Sequence, residues 1–178
     1  MWPFKKKPAT PPPVRITDSP CDPKRQQLIN TVTKDAAGFL DLDLSTASPA
    51  EVVKKVDSVI VRIVFGEPQP VPETEEKHLI LGSLWGAQMV KEFGWAWADV
   101  RNGEAIIVGV VSPQKDMVIH PFNFVADCIA KRCVCTVELS FNMLLEKKGA
   151  AVFSPGSYEN VMLHIHHIVP PYTLEAKG

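Results

Sequence analysis

Three histidines near the C-terminus are the residues best suited to chemistry. His164, His166 and His167 stand within four consecutive positions, and the β-branched residues around them favour a strand over Asn160–Val169. On a strand, His164 and His166 point to one face about 7 Å apart, a spacing that two metal-binding imidazoles can use. A zinc site needs a third ligand, for which His120 or a carboxylate is the candidate. One hypothesis is therefore a metal-dependent hydrolase, and the other is an ordinary polar strand face without a metal.

The cysteines do not form a metal-binding pattern. The chain has four of them, Cys21, Cys128, Cys133 and Cys135. The single residue between Cys133 and Cys135 is too short a spacing for a zinc knuckle, and no second pair matches it. A basic start without an apolar segment after it predicts no export signal, so free and mostly buried thiols are expected. A bridge from Cys128 to Cys133 or Cys135 is expected only if the protein is exported.

The remaining sequence contains no catalytic signature. Ser154-Pro155-Gly156-Ser157 predicts a turn and lacks the Gly-x-Ser-x-Gly pattern of a nucleophile elbow. Gly103 and Gly109 do not precede a helix start, so they do not form a phosphate-binding loop. We therefore predict no catalytic residue and no cofactor.

Composition limits the classes of partner. The chain has 178 residues, of which 46% are hydrophobic and 22% charged, with a formal net charge of −1. This balance argues against a nucleic-acid-binding protein, and no apolar run approaches the ~20 residues that span a bilayer. We expect one cytoplasmic domain over residues 20–172, with a proline-rich basic tail at 1–19 and a short disordered C-terminus at 173–178. In that tail Trp2, Phe4 and Lys5–Lys7 suggest contact with an anionic membrane surface as a further alternative.

Capping signals predict the positions of the helices. Asp22-Pro23 precedes an apolar stripe at helical spacing, and Ser48 with Glu51 forms a capping-box pattern before a second helix that ends near Gly66. The apolar residues of the first stripe are Leu28, Ile29, Val32, Ala36 and Phe39. In the second helix the charged residues, Asp57 among them, lie largely outside the apolar stripe. A third helix over about Glu75–Phe93 ends at Gly94, and later helices begin at Pro121 and Thr136.

The third helix is expected to be central because apolar residues occur on more than one side of it. Gly82 and Gly86 lie four residues apart on one face, which predicts the close approach of another backbone. Three tryptophans, Trp85, Trp95 and Trp97, are expected to pack in the core between this helix and a sheet.

Alternating residues after Gly94 predict an antiparallel meander of three strands. Asn102-Gly103 favours a tight type I′ turn, Ala105–Val111 forms the second strand and Met117–His120 the third. The sequence therefore predicts an α+β fold, in which this meander, joined by a C-terminal strand if one forms, packs against several helices.

Several of these motifs together resemble a known bacterial family. Leu81-Gly82-x-x-x-Gly86, then Gly94-Trp95-x-Trp97, a hairpin and Pro121-Phe122 resemble the domain-of-unknown-function family numbered 3806, over about residues 48–147. The resemblance implies an α+β domain of the bacterial cytoplasm and brings no catalytic residue. A different observation, a well-specified core without a catalytic constellation, supports the main hypothesis of a non-enzymatic protein-interaction module with a protein partner. An immunity or antitoxin-like protein that neutralises a toxin is one kind of such a module.

Overall fold

The protein has an α+β fold with a mixed five-stranded sheet. The computed structural model describes residues 15–74, 76–134, 136–147 and 153–165, with His164 and Ile165 described by their backbone alone. The helices are α1 (Pro23–Phe39), α2 (Pro49–Phe65), α3 (Lys77–Phe93), α4 (Pro121–Lys131), α5 (Thr136–Glu146) and α6 (Val161–Ile165). The strands are β1 (Thr17–Pro20), β2 (Ala96–Asn102), β3 (Ala105–Val111), β4 (Met117–Ile119) and β5 (Glu159–Asn160). No helix in these described ranges is long and apolar enough to cross a membrane.

The predicted caps are confirmed. The Asp22 carboxylate accepts hydrogen bonds from the first backbone N–H groups of α1. At the start of α2, Ser48 and Glu51 form both hydrogen bonds of a capping box. Gly66 and Gly94 end α2 and α3 in the left-handed conformation, with φ of 69° and 67°. Local sequence therefore determines where these helices begin and end.

Helix α3 is central, as predicted, and packs against α1, α2 and α4. A Cβ at Gly82 would lie 3.0 Å from the Pro121 carbonyl oxygen and 3.1 Å from Phe122 Cα, so the backbone of α4 does approach closely. At Gly86 the close neighbour is instead the indole of Trp97, which stacks on Phe122 with ring centroids 5.6 Å apart. The lack of a side chain at these two glycines therefore allows both the start of α4 and the sheet to pack closely against α3.

The three tryptophans lie in the core, as expected. Trp85 is fully buried, and Trp95 and Trp97 expose less than a tenth of their surface. The Trp85 ring lies 5.3 Å from Phe124 of α4, measured between centroids. These indoles therefore join α3 and α4 to the sheet.

The sheet has the strand order β1-β2-β3-β4-β5, antiparallel throughout except for the parallel pair β4–β5. The predicted meander corresponds to β2, β3 and β4. Strand β1 begins at Thr17, a little before the expected start of the domain, and pairs with β2.

The predicted turn type between β2 and β3 is wrong. Asn102 pairs with Ala105, so the two-residue loop is Gly103-Glu104, and only Gly103 has a positive φ, at 63°. A type I′ turn centred on Asn102-Gly103 requires a positive φ at both residues. One glycine at the first loop position is the pattern of a type II′ turn.

A C-terminal strand joins the sheet as β5, but the predicted strand over Asn160–Val169 is wrong at Val161–Ile165. Asn160 ends the short strand β5, and Val161–Ile165 form helix α6. The Asn160 side chain accepts a hydrogen bond from the Met162 backbone N–H at 3.1 Å, which favours a helix start over a longer strand. Residues 166–169 lie outside the described residues.

A buried carboxyl group joins two distant helices. Asp57 of α2 exposes only 4% of its surface, and its Oδ1 accepts the backbone N–H groups of Val137 and Glu138 at 3.2 and 3.3 Å. These donors belong to the first turn of α5, where backbone N–H groups have no partner within the helix. Asp57 therefore caps α5, which explains why this polar residue of α2 is buried.

A second polar cluster holds β1 in place. Asp18 of β1 accepts hydrogen bonds from Lys115 Nζ at 2.7 Å and from the Tyr158 hydroxyl. The Tyr158 backbone N–H in turn donates to the Lys115 carbonyl oxygen at 3.0 Å. Lys115 and Tyr158 both have a positive φ, of 56° and 50°, which is uncommon for such side chains. The cluster joins the first strand, the β3–β4 turn and the segment before β5.

Candidate functional site

Of the three predicted metal ligands, the structure describes the side chain of His120 only. His120 follows β4, and its Nδ1 lies 3.2 Å from the Val108 carbonyl oxygen. Burial lowers the pKa of the His120 imidazole, so the neutral ring is favoured. Among the described residues, no group of three or more His, Cys, Asp or Glu side chains could hold a metal ion. The side chains of His164 and His166 are outside the description, and the strand that would align them is absent at Val161–Ile165.

The described cysteines are free thiols, as predicted. Cys128 and Cys133 are buried and Cys21 is half-buried, whereas Cys135 lies outside the described residues. Burial raises the pKa of Cys128 to about 12 and also raises the pKa of Cys133. Since the thiolate is the nucleophile, these two thiols are poorly suited to catalysis.

The end of α4 explains where the two buried thiols lie. Arg132 has a φ of 57°, and the Cys133 N–H donates to the Cys128 carbonyl oxygen at 2.9 Å. With the hydrogen bond from Arg132 N–H to the Ile129 carbonyl oxygen, this is a Schellman motif. Cys128 and Cys133 occupy the two positions that commonly form its apolar contact, so both have a structural role.

The serines of the predicted turn are also structural. The Ser157 N–H donates to the Ser154 carbonyl oxygen at 3.1 Å, which confirms the turn. The Ser157 hydroxyl donates to the Asp116 carbonyl oxygen at 3.1 Å. This hydroxyl therefore stabilises the turn against the β3–β4 connection.

A groove between α1 and α2 is the best candidate for a binding site. Its volume is about 400 Å³, and it is lined by residues 39–41, by Lys55, Ser58, Val59 and Arg62 of α2, and by residues 68–70. Phe39 stands at this groove with 39% of its surface exposed. Leu40 and Val59 are almost fully buried and form an apolar floor. We call this feature the α1–α2 groove.

Local sequence positions each wall of the α1–α2 groove. The spacing of Lys55, Ser58 and Arg62 places them on one face of α2, opposite the residues that pack in the core. The facing wall is a proline-interrupted segment that Val71 anchors in the core with 3% exposure. The Gln69 side-chain oxygen accepts the Val71 N–H at 2.7 Å and stabilises this segment.

The α1–α2 groove carries two cations and one acid. Asp41 stands at the end of α1, and Lys55 and Arg62 stand on α2. Within the described part of the chain, neither Lys55 nor Arg62 forms an ion pair. Their charges are therefore available to a ligand of opposite sign.

Sequence reasoning did not identify this groove. The apolar stripe of α1 correctly includes the buried residues Ile29 and Ala36, but Leu28 and Phe39 expose 62% and 39% of their surface. The stripe has the ordinary width of one packed face, and Leu28 and Phe39 lie at one edge of it, so the sequence carried no signal for the groove. From the sequence, Lys55 and Arg62 were interpreted only as part of a solvent-exposed face of α2.

The chain has no significant match to a protein-family model, to a curated protein or to a solved structure. The resemblance to the family numbered 3806 therefore stays a prediction.

Proposed function

We propose that this protein is a non-enzymatic protein-interaction module of the bacterial cytoplasm that binds its protein partner in the α1–α2 groove. The observation that carries the proposal is Phe39, an aromatic side chain with 39% of its surface exposed beside an apolar floor. Aromatic and arginine side chains dominate the binding energy of protein interfaces, and Arg62 lines the same groove. An immunity or antitoxin-like protein that blocks a toxin is one form of this function.

The chemistry of the groove supports binding over catalysis. Among the described residues that line it there is no histidine and no cysteine, and Ser58 is the one residue with a hydroxyl group. A serine nucleophile needs an adjacent general base to become reactive. The free thiols Cys128 and Cys133 also support a reducing compartment, since disulfides form mainly in exported proteins.

Affinity capture from the native cells, followed by titration of the isolated partner, tests this function. Phe39→Ser should weaken the measured affinity by about tenfold or more, as expected for an interface hot spot. Ile106→Ser is the matched control, because Ile106 is also exposed, at 52%, but lies in β3 away from the groove. Equal affinities of the two variants, with both folded by circular dichroism, would contradict the assignment of this groove.

A further inference from the structure

We infer that the α1–α2 groove recognises an acidic segment of the partner in which two carboxylates flank an apolar side chain. This inference rests on the proposed function and adds the chemistry of the occupant. It follows from the placement of Lys55 and Arg62 on either side of the floor that Val59 contributes. Neither cation has an ion-pair partner in the described ranges, so a bound carboxylate would not have to displace one.

The geometry of α2 determines the spacing of the two carboxylates. Lys55 and Arg62 are seven residues apart, which is about 10.5 Å along a helix axis at 1.5 Å per residue. Two acidic residues on one side of the segment match this separation when they are seven apart in a helix, and come within about 1 Å of it when they are three apart in a polyproline II segment, which has three residues per turn. An apolar side chain between them would contact Phe39, Leu40 and Val59.

The rim of the groove also determines where the segment lies. Asp41, at the end of α1, has the same charge as the proposed ligand and disfavours carboxylates on that side. An acidic segment is therefore directed along α2, with its charges toward Lys55 and Arg62. Nucleic acid would also meet the two cations, but it offers no aliphatic side chain for the floor.

Titration of purified protein against two fluorescein-labelled peptides tests this inference. In one peptide two glutamates three residues apart flank a leucine, and in the other, a helical peptide, they are seven residues apart. We expect at least one to bind with Kd below about 1 mM and to bind more weakly as salt rises. The double variant Lys55→Glu with Arg62→Glu should weaken that binding by about tenfold, since exposed ion pairs contribute a few-fold each.

The matched control is Lys34→Glu with Lys54→Glu, which changes the net charge equally at exposed positions outside the groove lining. Loss of binding in both double variants, or no binding of either peptide, would overturn the inference. Tighter binding of a single-stranded oligonucleotide that depends on Lys55 and Arg62 would also overturn it. The inference fails and the proposed function stands if partner affinity depends on Phe39 but is unchanged by the charge reversal.

Discussion

The buried carboxyl group of Asp57 makes the stability of the folded protein depend on pH. Burial raises the pKa of Asp57 to about 6 from an ordinary 3.8, although the N–H groups of Glu138 and Val137 oppose part of this increase. The folded protein thus binds a proton more tightly than the unfolded chain does. The stability that Asp57 contributes is fully present below about pH 4 and is lost as the pH rises through about 6. The pKa difference corresponds to roughly 3 kcal/mol.

Asp57→Asn should remove this dependence and keep the cap of α5, because an amide oxygen can still accept both N–H groups. Between pH 4 and pH 7 we expect the variant to gain roughly 1–3 kcal/mol in unfolding free energy relative to the parent. Urea denaturation at several pH values measures this difference. Parallel curves for the two proteins would show that Asp57 has an ordinary pKa.

The space around a glycine predicts whether an added methyl group lowers or raises the stability of the protein. Gly82→Ala and Gly86→Ala should each destabilise the protein by about 1–3 kcal/mol, because the new Cβ overlaps the start of α4 or the Trp97 indole. Gly38→Ala in α1 is the control, since no atom of the described residues lies within 4 Å of the added methyl group. It should stabilise by about 0.5–1 kcal/mol. Thermal melts of the three variants test the prediction, and destabilisation by Gly38→Ala would contradict it.

At the scale of elements, the β2–β3 hairpin was predicted correctly, but its turn type and its loop residues were not. The Asn-Gly pair predicts a type I′ turn, yet the chain uses Gly103-Glu104 as the loop and leaves Asn102 in the strand. A loop of Asn102-Gly103 would instead have placed Arg101 opposite Glu104. The difference moves the register by two residues, which preserves the face of every side chain because the strand period is two. The alternation that predicted the meander therefore could not distinguish the two turns.

Paired substitutions in this hairpin distinguish the turn types. Gly103→Ala should destabilise by about 1 kcal/mol, because residue 103 has a positive φ that a Cβ disfavours. Asn102→Thr should change stability by less than about 0.5 kcal/mol, since threonine suits a strand position. In a type I′ turn both substitutions would introduce strain. Chemical denaturation of the two variants measures the difference, and a large loss for Asn102→Thr would restore type I′.

At the scale of the whole molecule, the sequence predicted the elements that carry their own signals. Some elements could be predicted because their signals depend only on neighbouring residues. These are the caps at Asp22 and Ser48 and the apolar pattern of α3. Strand β1 could not be predicted, because Thr17–Pro20 is polar and ends in a proline. It forms a strand through its pairing with β2 and through the hydrogen bonds of Asp18 with Lys115 and Tyr158, which are distant in sequence. The α1–α2 groove also depends on contacts between residues distant in sequence, because three separate segments form it, so it could not be predicted.

The Asp18 cluster predicts a specific loss of local order. Asp18→Ala removes the acceptor for Lys115 and the Tyr158 hydroxyl, which leaves β1 attached mainly through its pairing with β2. We expect the amides of β1 to exchange with deuterium faster, while α3 keeps the protection of the parent, because edge elements open locally. Lys131→Ala removes an exposed pair with Asp127 and should leave exchange in β1 unchanged. Equal acceleration in β1 and α3 would indicate global destabilisation instead.

The cap that Asp57 provides to α5 has a consequence for synthesis of the chain. Its acceptor precedes its donors by 80 and 81 residues. At about 5–20 residues per second, a ribosome adds Asp57 roughly 4–16 s before it adds Val137 and Glu138. During that interval the two backbone N–H groups that Asp57 accepts in the folded protein are absent, so the native burial of its carboxylate lacks the hydrogen bonds that offset the loss of hydration. The contact between α2 and the start of α5 can therefore form only after residues 137 and 138 have left the exit tunnel.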